Sequence, residues 1–146
     1  MQDISEMIAK SSLFSNLTPD GIYRLAELAQ IKTFKKGELI IEEGKPGTGC
    51  YIITSGKVEV IKGINNNTPK IIAVLSAGEI IGEMSVIDGL PYSATVRTLE
   101  DTECVMIEQW DFKAQLQAYP EIALQLLPVL AKRLRAMNEQ QFEGNA

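Results

Sequence analysis

Apolar positions are spaced as in helices at both ends of the chain and as in strands between them. Near the start, Asp3 to Lys10 reads as one short helix. Thr18-Pro19-Asp20 then supplies a hydroxyl cap, a proline suited to the first helical position and an acid against the positive end of the helix dipole. Ile22, Leu25, Ala26 and Ala29 follow at helical spacing, so a second helix is predicted up to about Gln30. From Ile31 to about Gln109 the period falls to two. Short β-rich runs stand at Leu39-Ile41, Tyr51-Ile53, Val58-Ile61, Ile71-Leu75, Ala94-Val96 and Cys104-Ile107. Glycines at 37, 44, 56, 78 and 82 fall where one run hands over to the next, and Ile64 to Thr68 reads as an exposed hairpin tip. Many short strands separated by turns predict an antiparallel barrel or jelly roll.

After Gln109 the spacing is helical again. Trp110 to Tyr119 forms one short segment, and Pro120 opens a longer one with two apolar stripes. Ala123, Leu127, Leu130, Leu134 and Met137 make the first stripe; Ile122, Leu126 and Val129 make the second. A helix apolar on two sides needs two neighbours, one the barrel and the other a partner subunit. Pro128 is expected to bend this helix near Leu124. Gln141 to Ala146 read as a frayed end.

Composition narrows the function more than it does the fold. The 146 residues suit one domain, and 45% hydrophobic residues suffice for one core. A net charge of −5 argues against a nucleic-acid binder, which neutralises phosphates with clustered Lys and Arg. The chain contains no histidine, which removes Ser-His-Asp and Cys-His nucleophiles and the histidine-rich metal sites of barrel enzymes. No catalytic residue, metal site or cofactor is expected. Cys50 and Cys104 lie in apolar surroundings and read as buried, reduced thiols, in keeping with a cytoplasmic protein. The first residues carry no basic segment leading into an apolar run, and no uncharged stretch is long enough to span a bilayer.

The chemistry concentrates between Gly82 and Val96. A glycine at 82 followed by a short helix turns backbone N–H groups toward a point where an anion can sit, with Met84 beside them. Glu83 suits a ribose hydroxyl better than a phosphate; its plainer role is to cap the short helix. Ser93 can donate a hydroxyl to a phosphate oxygen, and a backbone N–H beside it, at Ala94, can add a second donor. The run Ile81-Gly82-Glu83-Met84-Ser85-Val86-Ile87-Asp88-Gly89-Leu90-Pro91-Tyr92-Ser93-Ala94-Thr95-Val96 strongly resembles the phosphate-binding cassette of cyclic-nucleotide-binding domains. Ser12-Leu13-Phe14, Phe34-Lys35-Lys36-Gly37-Glu38-Leu39-Ile40, Glu43-Gly44, Gly56-Lys57-Val58, Trp110-Asp111-Phe112 and Tyr119-Pro120-Glu121-Ile122 extend the likeness over nearly the whole chain.

The resemblance implies a mainly β protein with flanking helices: an antiparallel, jelly-roll-like β-roll over 31–109 holding the cassette at 82–96. Helices over 1–30 and 110–146 complete one domain of 1–146. It implies a regulatory sensor that takes cyclic AMP, cyclic GMP or a related anion and signals through its C-terminal helix as a homodimer. The DNA-reading unit of the family's transcription factors has no counterpart in these residues, so no direct DNA contact and no membrane partner is expected. Glu83 would take the ribose 2′-hydroxyl, and Ser93 would help to hold the phosphate. Asn138, next to Met137, falls where the family closes its pocket over the base; otherwise it is a surface residue. Tyr92 stands where the family places an arginine against the phosphate, so arginine at that position is expected to tighten binding. Arg97 lies roughly 16 Å along the strand at 3.3 Å per residue, too far to substitute. Lys132, Arg133 and Arg135 read as a solvated helix face. The alternative is a degenerate domain that binds no nucleotide and serves for dimerisation or protein docking.

Overall fold

The computed structural model describes residues 3–144. Two helices open it: α1 (Ile4–Ala9), capped by the Asp3 side chain, and α2 (Pro19–Leu28), capped by Thr18 with Pro19 in the first turn. Eight strands follow: β1 (Gln30–Phe34), β2 (Leu39–Ile41), β3 (Gly49–Ser55), β4 (Val58–Lys62), β5 (Lys70–Leu75), β6 (Ile80–Ile81), β7 (Thr95–Thr98) and β8 (Thr102–Glu108). Helix α3 (Glu83–Asp88) interrupts them between β6 and β7. Helices α4 (Gln109–Ala118) and α5 (Glu121–Gly144) close the chain; α5 is helical through Pro128 and on to Gly144, and Asn145 and Ala146 of the expected frayed end lie outside the described residues.

The strands form two antiparallel four-stranded sheets, ordered β1-β8-β3-β6 and β2-β7-β4-β5. This is the expected β-roll with helices at both ends. All five of the handover glycines have positive φ, and a short turn at Ile64–Asn66 makes the exposed tip between β4 and β5. Two strands are absent from the runs read above. Gln30–Phe34 carries little hydrophobic pattern because it is an edge strand exposed along most of its length. Ile80–Ile81 has only two residues, too short for any period to show.

Two cores explain why β3 reads as an unbroken apolar run. Cys50 and Ile52 face a helix-side core with Ile8, Phe14, Leu25, Phe112 and Ile122. Ile53, with half-buried Tyr51 beside it, faces the interior of the roll with Val58, Tyr92, Val96 and Cys104. A strand buried on both faces loses the polar half of its alternation. The same division splits α5. Ile122 and Leu126 are buried in the helix-side core and Val129 and Leu130 pack against it, whereas Leu127, Leu134 and Met137 are exposed. Leu130 thus leaves the first stripe for the core. Gln125 fastens the docked end: its Oε1 accepts from the Thr18 N–H and its carbonyl from the Asn16 side chain, both at 3.0 Å. Among the described residues no helix is long and apolar enough to cross a membrane.

Both cysteines are free and buried, as the composition implied. Burial is the main cause that pushes each thiol up from 9.0 to about 12, with the charge of Glu83 adding to it at Cys50 and that of Glu103 at Cys104. The folded protein at pH 8 is therefore expected to show almost no reaction with a thiol reagent, and both thiols should appear on denaturation. Because the folded thiols hold their protons longer than the unfolded ones, stability should fall as pH rises from about 9 toward about 12. Rapid labelling of native protein at pH 8 would refute this placement.

Candidate functional site

The run from 82 to 96 is held in place by backbone geometry before any ligand is considered. Gly82 sits at φ +78° as the N-cap of α3. A β-carbon there would come within 2.9 Å of the Gly49 carbonyl and 3.0 Å of the Tyr92 ring, so the close approach and the left-handed backbone both require glycine. From Gly82 the chain turns into α3, whose Ser85 and Val86 are buried. Past α3, Tyr92 bonds through its backbone to the loop after β2: its N–H donates to Lys45 (3.0 Å), and its carbonyl accepts from Gly44 (2.9 Å).

The Tyr92 side chain completes the anchor. It is buried, and its hydroxyl donates to the Gly49 carbonyl at 2.6 Å and accepts from the Gly49 N–H at 3.1 Å. A side chain bonded twice to one backbone unit has no hydrogen left for a phosphate. Tyr92 thus serves as a structural clamp between the cassette and β3. Its ring forms part of the wall of the pocket.

That pocket is a cavity of about 230 Å³ inside the roll. One side is made by Gly82, Glu83, Met84, Tyr92, Ser93 and Ala94; aliphatic side chains such as Ile41, Val60 and Leu75 make the other. Six of the seven residues singled out from the sequence thus meet at one cavity. Ser93 and Met84 are exposed, and Ala94 is buried behind them. The seventh, Asn138, is exposed on α5 and does not reach the cavity wall. Its five-residue-earlier neighbour does approach it. Arg133 Nη1 donates to Glu83 Oε1 at 3.1 Å and Nη2 to Ser12 Oγ at 3.3 Å. Arg133 therefore leaves the solvated face on which sequence spacing put it, while Lys132 and Arg135 remain exposed. Nothing local marks it, because its partners lie 50 and 121 residues away.

The charges are unevenly placed. Among the described residues, no Lys or Arg lines the cavity, and Glu83 is the one formally charged residue in its wall. Arg97 is occupied by the largely buried Glu59, with contacts of 3.0 and 2.6 Å across the β4–β7 pair. Its neighbour Val96 faces the cavity, so alternation along β7 turns Arg97 away. Arg97 does not compensate for Tyr92. Among the described residues no cluster of three His, Cys, Asp or Glu is placed to hold a metal.

Comparison with known proteins agrees with this geometry. Residues 31–119 match the family model of the cyclic nucleotide-binding domain. The chain is 30% identical over 135 residues to a CRP-like cAMP-activated global transcriptional regulator of Mycobacterium tuberculosis, covering 92% of this chain and 60% of that protein. It is 32% identical over 125 residues to the cyclic AMP receptor protein of Thermus thermophilus, covering 86% and 58%. The chain thus spans about three fifths of the length of these two curated relatives. Among solved structures, the N-terminal domain of a transcriptional regulator from Streptomyces coelicolor A3(2) superposes with a TM-score of 0.79 at 29% identity, covering 92% of this chain and 94% of that one.

The clamp has a direct test. Tyr92→Phe keeps the ring but leaves both Gly49 groups unpaired in a buried position, which should cost about 1–3 kcal/mol in urea unfolding. Tyr92→Arg strips the same bonds and buries a charge in the roll, so it should cost more still. The gain in affinity expected from restoring the family's arginine is thereby set against the loss of the clamp. If both variants unfold at the wild-type midpoint, the hydroxyl does not anchor the cassette.

Proposed function

The chain belongs to the cyclic nucleotide-binding domain family, and from that membership we propose that its cavity takes a cyclic nucleotide as a regulatory ligand. The observation that carries the proposal is the convergence of Glu83, Ser93 and the turn at Gly82 on one cavity, with Glu83 joined directly to α5 through Arg133. In this reading Glu83 accepts the ribose 2′-hydroxyl and Ser93 donates to the phosphate. A ligand at Glu83 alters what Arg133 holds, and so alters α5. The role is regulatory: the cavity senses, and the helix transmits. Cyclic AMP is the first ligand to try, because relatives named for cyclic AMP match 92% and 86% of this chain.

Calorimetry with cyclic AMP and cyclic GMP tests the reading. Binding of one of them is expected, and Glu83→Ala should weaken it by at least about tenfold, the loss of a hydrogen bond to a charged acceptor. An absence of binding by either nucleotide would leave the domain as a docking module that keeps the fold without the ligand.

We further propose that α5 is the dimer helix. Leu127 and Leu134, seven residues apart, are 57% and 61% exposed, and Met137 is 63% exposed. Apolar side chains at that spacing suit a helix pairing with a copy of itself. Leu127→Asp with Leu134→Asp should convert dimers to folded monomers in sedimentation, since neither side chain belongs to the core. Leu130 is the wrong probe, because it packs on the core. Wild-type protein that sediments as a monomer at high micromolar concentration would end this proposal.

A further inference from the structure

We infer that Arg133 of α5, and no residue of the cassette, is the counter-charge for the ligand's phosphate, which rests on the cyclic-nucleotide reading above. A cyclic phosphate carries one negative charge, and burying it without a cation is strongly unfavourable. Here the wall adds a second negative charge, Glu83, and among the described residues no positive one. At Tyr92 the side chain is neutral and bound to Gly49. Arg97 faces the other side of its strand and is held by Glu59. Among the described residues, Arg133 is the one whose cationic side chain is hydrogen-bonded to a residue of the cavity wall.

The chemistry of the ligand brings the phosphate to this guanidinium. On a 3′,5′-cyclic ribose phosphate, the 2′-hydroxyl and the phosphate-bearing 3′-oxygen sit on adjacent carbons. A carboxylate that accepts from the 2′-hydroxyl therefore stands near the phosphate, and a long cationic side chain bonded to that carboxylate can reach it. Guanidinium has five N–H donors in a planar fork. Arg133 uses two, on Glu83 and Ser12, at 3.1 and 3.3 Å. The remainder can bridge from carboxylate to phosphate, an arrangement a lysine's single ammonium does less well.

The placement also gives the contact a direction. Arg133 lies past the part of α5 that Ile122, Leu126 and Gln125 fasten to the core. A phosphate bonded to Arg133 tightens the free part of the helix onto the cassette, and by reciprocity a helix held there raises affinity for the phosphate.

The experiment compares Glu83→Gln with Glu83→Gln/Arg133→Ala, titrating cyclic AMP and, as the uncharged probe with the same base and 2′-hydroxyl, adenosine. With the Glu83 charge already gone, Arg133 cannot act by neutralising it. Removing Arg133 should then still weaken cyclic AMP by at least about tenfold, leave adenosine unchanged, and reduce the salt dependence of cyclic AMP binding. Arg133→Lys in the Glu83→Gln background should fall between the two. Equal cyclic AMP affinity with and without Arg133 in that background would overturn the inference while leaving the ligand reading intact. An equal loss for both probes would also overturn it, as a packing role for Arg133. If wild type binds no cyclic nucleotide, the ligand reading itself fails and this inference falls with it. Thermal unfolding of each variant checks that the fold persists.

Discussion

Everything the cassette offers to a ligand depends on one close approach, that of Gly82 and Tyr92 to the backbone of Gly49. The Gly49 N–H donates to the Tyr92 hydroxyl and the Gly49 carbonyl accepts from it, and that carbonyl packs where a side chain at 82 would otherwise be. Gly49 is itself crowded, since a β-carbon on it would reach within 2.9 Å of the Ile107 carbonyl on β8. Strand β3 thus carries β8 on one side and the cassette on the other. Because β3 is buried on both faces, it can shift neither way without opening a core. The cavity inherits its shape from that rigidity.

The same clamp sets the electrostatic problem of the site. A ring and hydroxyl spent on structure supply no charge to the cavity, and the neighbouring arginine on β7 is consumed by Glu59. The wall is left mostly apolar with one carboxylate, and that carboxylate is met from outside the roll by an arginine of α5. The arginine bonded to the cavity's carboxylate thus stands on a helix and not on the loop that borders the strands. A rigid sheet holds geometry well but transmits little, whereas a helix bound through one side chain can respond to what that side chain touches.

Helix α5 is built for that double duty. Its first turns are fixed by Ile122, Leu126 and the Gln125 bonds to the start of the chain, its middle reaches the cassette through Arg133, and its outward leucines face away from the core. One element touches the N-terminal helices, the ligand cassette and an apolar surface at once. In the function proposed above, that conjunction makes it the route by which occupancy of the cavity would be felt elsewhere.

Much of this was legible in the sequence because it depends on near neighbours. The Thr18 cap, the handover glycines, six of the eight strands and the cassette motif are set by φ preferences, short hydrogen bonds and alternation within a few residues. Alternation failed where its premise failed, at the exposed edge strand β1 and the two-residue β6. Residue type and the family resemblance together named six of the fourteen residues that line the cavity, since Gly82, Glu83, Met84, Tyr92, Ser93 and Ala94 are nearly contiguous. What each of them does was decided by partners that are close only after folding. Tyr92 meets Gly49 across 43 residues, and Glu83 meets Arg133 across 50. No periodicity distinguishes Arg133 from the exposed Lys132 or Arg135 beside it, and none separates Leu130, packed on the core, from Leu134, facing out. Those assignments follow from how α5 lies against the roll, which is settled by the packing of two cores at once and not by the order of residues along the chain.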